Sequence, residues 1–285
     1  MTRPTTALRA LIDGGPPFIA ADCYSALTGR IIEQTGFKAA YMGGHATSMM
    51  HYAIPDCGIY TPTEAIDQAG RVAEAITIPL IVDADSCGET VADVHRSIGG
   101  YVRAGVAGIH IEDEVSPKHS TWDGQLMDVE DMQERISVAA EARVDPDFVI
   151  IARCDELYRD GGGGTGSLDE MIARGKAYAE AGADVFLANF ATDEQLPAII
   201  AEVPIPVTAY GGLRPGLAFS LSTGWGVAAA TQAHQRWAAE LFETGELPWA
   251  SFGVEGKDEL IRQPLYDGIV ERWARRKGLA LRPEA

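Results

Sequence analysis

Eight short apolar runs, each followed by a helical pattern, recur between residues 17 and 231, and this alternation restricts the fold more than any other feature of the chain. The runs cover 17–23, 39–44, 79–85, 108–114, 148–156, 183–190, 205–212 and 224–231. Each is nearly continuous in apolar residues, as expected of strands covered on both faces of a parallel sheet. The intervening segments have the spacing of amphipathic helices and close at breakers such as Gly36. Eight strand-then-helix units in 285 residues predict a single domain, a closed (β/α)8 TIM barrel, with an open doubly wound sheet as the alternative. No G-x-G-x-x-G follows a strand, and the glycine run at 161–166 reads as a flexible loop. A short helix at 5–13 precedes the first strand. Helices at 233–244 and 257–277, around an irregular stretch with Pro248 and Trp249, form a C-terminal extension from about residue 233 that a minimal barrel does not need. That surplus reads as a surface for a neighbouring subunit.

The formal net charge of −18 argues against nucleic acid or an anionic membrane surface as partner, since both would repel the chain. Cys23, Cys57, Cys87 and Cys154 have neither paired nor metal-like spacing, and no charged-then-apolar leader follows Met1. The expectation is a reduced, cytoplasmic protein without a membrane span.

The third run, PLIVDADSC, ends in Asp83 and Asp85, and residues two apart on a strand point to the same face. The fourth, GIHIEDE, ends in Glu112, Asp113 and Glu114. Two neighbouring strand ends closing in hard oxygen donors favour Mg2+ or Mn2+ over zinc. The competing reading is that such acids merely cap the next helix. In a (β/α)8 barrel the active site lies at the carboxyl ends of the strands. The candidate constellation is therefore Asp22, Tyr41 with Gly43, Gly44 and His45, Asp83 with Asp85, Glu112, Arg153 with Asp155, Asn189, Tyr210, and His234 just past the last strand. Arg153 interrupts an apolar strand, where its planar charged fork suits either a substrate carboxylate or a salt bridge to one of the acids. Gly43 and Gly44 let backbone N–H groups approach an anion closely, although a tight turn also needs glycine.

The runs YMGGHATSMMHYAIPDCGIYT, VDADSCGE, GIHIEDEVSPKHS and DPDFVIIARCDE resemble, in order and spacing, the phosphoenolpyruvate mutase and isocitrate lyase superfamily. The resemblance spans about residues 20–233. It implies a (β/α)8 barrel whose last helix is swapped between subunits of a homotetramer. It also implies magnesium held by Asp83, Asp85 and Glu112, largely through water, with Asp56 near the metal, Arg153 on the substrate, and a 2-oxo or 2-hydroxy carboxylic acid as substrate. The carbon-carbon lyases of the family carry a K-[KR]-C-G-H loop whose Cys is the catalytic acid, whereas this chain has Lys118, His119, Ser120, Thr121 and Trp122. A serine hydroxyl is a far weaker proton donor than a thiol. Those lyases also place Glu where Asn189 stands and Asn where Tyr210 stands. Tyr210 and His234 are similar instead to a pair in the oxaloacetate decarboxylase branch, though the loop at 116–128 keeps the Pro-Lys of the lyases.

The expected function is Mg2+-dependent decarboxylation of oxaloacetate or a close 3-carboxy-2-oxo acid. Arg153 would hold developing negative charge, Tyr210 and His234 would shape the site and deliver a proton, and the 43–45 backbone would hold a carboxylate. One alternative is a lyase acting on a 2-hydroxy di- or tricarboxylate with Ser120 or His119 as the acid. Another is a degenerate barrel that binds metal and dicarboxylate without turnover. A Schiff-base role for Lys118 is disfavoured by reading it on a mobile loop.

Overall fold

The computed structural model describes residues 2–120, 124–158, 163–246 and 253–280. Eight parallel strands close into one barrel in chain order: Phe18–Asp22 (β1), Ala39–Met42 (β2), Leu80–Asp83 (β3), Gly108–Glu112 (β4), Val149–Cys154 (β5), Val185–Ala188 (β6), Val207–Tyr210 (β7) and Phe219–Leu221 (β8). Closure runs through β8 onto β1, where Phe18 pairs with Phe219 and Ala20 with Leu221. The (β/α)8 expectation holds and the open sheet does not.

The eighth strand, however, is not at 224–231. That run opens α9 (Trp225–Thr244) instead, and the strand is the three-residue Phe219–Leu221 before it. Periodicity cannot separate a short apolar run in a strand from one in a helix, and the alanines of this run favour the helix.

Outside the sheet stand α2 (Ala26–Thr35), α4 (Pro62–Ala75), α5 (Val91–Arg103), α6 (Val129–Ala142), α7 (Leu168–Glu180) and α8 (Leu196–Glu202), with a short α3 (Gly44–Thr47) running into a π turn. Reciprocal capping boxes at Ser25/Thr28, Thr61/Glu64 and Thr90/Asp93 fix three of the helix starts. Alternate strand residues divide the apolar interior in two. One layer lies between sheet and helices, and the other, including Phe18, Ile81, Val149, Leu187 and Phe219, fills the barrel.

The helix α1 (Pro4–Gly14) closes the amino-terminal end. Leu8 is fully buried in the inner layer, and a Cβ at Gly108 would lie 3.1 Å from its Cδ2. Arg9 donates to the Phe148 carbonyl and pairs with Asp184 at 2.7 Å. Among the described residues α1 thus occupies the amino-terminal floor, and the carboxyl ends of the strands face the cavity described below.

The chain divides into two compact units, Met1–Ala230 and Thr231–Ala285. The second contains the end of α9, α10 (Lys257–Leu260) and α11 (Gln263–Lys277). The single helix expected over 257–277 is thus broken. Pro264 has no N–H and is tolerated only in a first turn, so the helix restarts there after Arg262 at φ 56°. Leu265, Tyr266, Ile269, Val270 and Trp273 of α11 are each 45–58% exposed. Among the described residues no helix is long and apolar enough to cross a membrane.

Candidate active site

Strand parity brings the polar residues together. On β3 and β4, Asp83 and Glu112 occupy inward positions at the carboxyl end, and Asp85 follows two residues after Asp83. One carboxylate oxygen from each of Asp83, Asp85 and Glu112 lies within 4.8 Å of the others. They are not the caps of the following helices: Thr90 caps α5, and Asp128 stands at the start of α6. Asp83 is held by two backbone donors, Gly44 N–H at 3.0 Å to Oδ2 and Asp85 N–H at 3.0 Å to Oδ1. Gly44 is needed for that approach, because a Cβ there would sit 3.1 Å from the same Asp83 oxygen. Its N–H, expected to hold a substrate carboxylate, is therefore already taken by Asp83.

Lys118 is the residue that sequence reasoning placed wrongly. Instead of riding exposed on a loop it is fully buried, with Nζ 2.5 Å from Asp85, 2.7 Å from Glu112 and 3.7 Å from Asp56. Its signal was the Pro-Lys pair shared with the lyase loop. The ammonium stays charged, because four surrounding acids outweigh the burial that opposes charge. Burial drives the Asp85 carboxyl up to about 6 despite Lys118, with Asp83 and Asp56 adding to the rise. Burial likewise pushes Glu112 well above the usual carboxylate range. Asp83 goes the other way: burial opposes its charge, but neighbouring positive groups and the Gly44 N–H hold it low.

Arg153, at the inward end of β5, satisfies both readings of its sequence position. Its guanidinium bonds Glu112 and Asp155 at 2.8 Å each, and it also lines an open cavity of about 640 Å³. Asn189 donates to Asp155 from the neighbouring strand end. Tyr41, Gly43, His45, Asp56, Asp83, Asn189 and Tyr210 line the same cavity. His110, two residues before Glu112, was missed, although strand parity alone points it inward. Its Nε2 lies 2.9 Å from the Tyr41 hydroxyl and 3.3 Å from that of Tyr210, and the two hydroxyls are 3.0 Å apart. Its Nδ1 stands 3.6 Å from Asp83 Oδ1. Burial pushes His110 down to about 4, so near neutrality it is uncharged, and a proton on Nδ1 facing Asp83 leaves Nε2 to accept from a tyrosine.

His234 is exposed in the middle of α9, within the second unit. Ser120 turns its hydroxyl to the Pro117 carbonyl at 3.0 Å. Thr121 and Trp122 of the loop, and Gly161 and Gly162 of the glycine run, lie outside the described residues.

The donor set fits a hard divalent cation: three carboxylates converge, two of them resist ionisation through burial, and the cation now neutralising them is a lysine from a loop. Comparison with known proteins agrees. The family model for phosphoenolpyruvate phosphomutase matches residues 8–243. The chain is 35% identical to the 2,3-dimethylmalate lyase of Eubacterium barkeri over 201 residues, 69% of this chain and 67% of that protein. It is 34% identical to the oxaloacetate decarboxylase of Rhodopseudomonas palustris (strain BisA53) over 207 residues, 72% of this chain and 70% of that one. Among solved structures, a phosphonopyruvate hydrolase in complex with oxalate and Mg2+ superposes with a TM-score of 0.82 at 27% identity, covering 95% of this chain and 99% of the other. With a family model matched over most of its length, the chain belongs to the phosphoenolpyruvate mutase and isocitrate lyase superfamily.

Proposed function

We propose that the protein decarboxylates oxaloacetate or a close 3-carboxy-2-oxo acid to a 2-oxo acid and CO2. The observation that carries this reading is the Tyr210 hydroxyl, which lines the cavity with Arg153 and is linked to Tyr41 and His110. Asp83, Asp85 and Glu112 would hold Mg2+ or Mn2+, which when bound supplies a Lewis acid for the carbonyl and carboxylate oxygens of a 2-oxo acid. Breaking C3–C4 releases CO2 and moves the bonding pair toward the C2 oxygen. Arg153, its charge fixed by Glu112 and Asp155, stabilises that enolate oxygen. Tyr210 then delivers the proton to C3 while Tyr41 and neutral His110 hold its hydroxyl in place, and water entering the open cavity returns the proton to the phenolate. Asp56 and His45 bound the cavity on the side of Lys118 and α3, and Asn189 orients Asp155 beneath Arg153.

Oxaloacetate turnover, followed as pyruvate and corrected for metal-only decarboxylation, tests this. Chelator-sensitive turnover should fall at least a hundredfold in Tyr210→Phe, on the order expected for loss of a general acid, and survive Ser120→Ala. No turnover above the metal blank refutes it.

A carbon-carbon lyase is the second reading, favoured by His119, which lines the cavity and whose hydrogen bond to buried Glu114 raises its affinity for a proton. Release of a 2-oxo acid from a 2-hydroxy diacid, lost in His119→Gln, would select it. For the whole chain we propose one barrel domain with a C-terminal helical extension. The exposed Leu265, Tyr266, Ile269, Val270 and Trp273 of α11 support helix exchange in a homotetramer.

A further inference from the structure

Phe190 directly follows Asn189 at the mouth of β6, and two features of it are unusual together. Its backbone lies in the left-handed region at φ 57°, which disfavours a bulky side chain, and the ring is 60% exposed although large apolar residues ordinarily repay such strain by burial. The ring is nevertheless fixed. It stacks on Tyr158 with centroids 4.4 Å apart and planes 12° from parallel, and His119 meets Tyr158 edge-on at 5.5 Å and 86°. Three aromatic rings, from the loops after β4, β5 and β6, thus form one wall of the 640 Å³ cavity that also contains Arg153 and Asp83. A space of that volume suits a drug-sized ligand, and a four-carbon oxo diacid fills only a minor part of it. The Arg153 guanidinium and the aromatic wall share one cavity, so a substrate that spans it is negatively charged at one end and flat and apolar at the other.

We propose that the preferred substrate carries an aromatic substituent on the carbon beside the 2-oxo group, seated on the outer face of Phe190. This rests on the decarboxylase reading and deepens it: Phe190, with Tyr158 behind it, determines specificity, while Arg153 and Tyr210 perform the chemistry. Branched or straight alkyl groups also bury apolar area there, but only a ring extends the stack that Tyr158 and Phe190 already make.

The test compares kcat/KM for oxaloacetate, 3-methyloxaloacetate and 3-benzyloxaloacetate, each corrected for metal-only decay. The benzyl acid should exceed the methyl acid by about tenfold or more, within the range that apolar pocket contacts supply. Phe190→Gly, which relieves the backbone strain, should remove most of that ratio, and Tyr158→Leu should remove part of it. Equal values for the benzyl and methyl acids in the parent enzyme, or a ratio unchanged in Phe190→Gly, overturn the inference. If none of the acids is decarboxylated, the decarboxylase reading is what fails. Calorimetric binding of benzylmalate against malate to the Mg2+-loaded protein then decides the wall by itself. At least tenfold tighter binding of benzylmalate, lost in Phe190→Gly, sustains an aromatic-binding wall, and equal binding refutes it.

Discussion

Replacing Lys118 by Met tests whether the lysine is the cation that neutralises the three acids when no metal is bound. The lysine is fully buried, and Asp85 and Glu112, its partners at 2.5 and 2.7 Å, are at most 15% exposed by side chain. Breaking a buried ion pair by removing one partner costs about 3–5 kcal/mol, because the remaining charge keeps its desolvation penalty. For a chain of 285 residues, each kcal/mol shifts Tm by roughly 2–3 °C, so the metal-free variant should melt about 6–15 °C lower. The sign reverses for metal binding. In the parent protein a divalent ion must displace the ammonium, whereas in the variant Asp85 has lost its cation and Glu112 keeps only Arg153. If about 3 kcal/mol of competing attraction is removed, the Mg2+ dissociation constant should fall by up to about a hundredfold. Scanning fluorimetry of chelator-treated protein measures the first effect and calorimetric Mg2+ titration the second, both without reference to turnover. An unchanged melting temperature together with an unchanged dissociation constant would refute the assignment, and so would weaker Mg2+ binding.

Two further outcomes separate the scaffold from the site. Leu8→Ala should destabilise the protein by about 2–5 kcal/mol, the usual loss for a buried leucine, while leaving Mg2+ affinity unchanged, since it empties the floor rather than the mouth; a shifted Mg2+ titration would contradict that separation. At Asp22, burial raises the carboxyl above its ordinary value while Oδ2 accepts from Gly226 N–H and Oδ1 has no partner. A raised folded-state value favours folding fully below the unfolded value near 3.8, and that benefit is lost as pH rises through the folded value. Asp22→Asn keeps an acceptor for Gly226 and removes the ionisation, so its melting temperature should exceed the parent's at pH 7 and lose the advantage below about pH 4. A gain independent of pH would show that charge is not the cause.

The fold was legible because seven of the eight strands are long enough to register as continuous apolar runs, and because barrel closure follows from their number. Phe219–Leu221 was not legible: three residues carry too little pattern to compete with the alanine-rich run after them. The converging acids were legible for the same reason as the strands, since parity along β3 and β4 sends Asp83 and Glu112 inward. Parity also applied to His110, and it went unread only because one histidine in an apolar strand carries no motif. Lys118 was illegible in a different sense. No local pattern distinguishes a lysine in solvent from one folded back onto three carboxylates, because what buries it is the charge of residues 6–62 positions away in the sequence.

That division has a physical cause that extends to specificity. Backbone-determined features, such as which strand ends in which acid, repeat with the period of the sheet and can be read one residue at a time. Loop-determined features depend on how three separate segments meet above the barrel, and the stack of His119, Tyr158 and Phe190 exists only once they have met. On the proposed reading the acids and Arg153 set the chemistry, while the loops above β4, β5 and β6 set what size and shape of molecule undergoes it. If the proposed aromatic wall sets specificity, two chains with the same strand ends differ in substrate through their loops, and the residues to exchange between them are Phe190 and Tyr158 rather than Asp83 or Arg153.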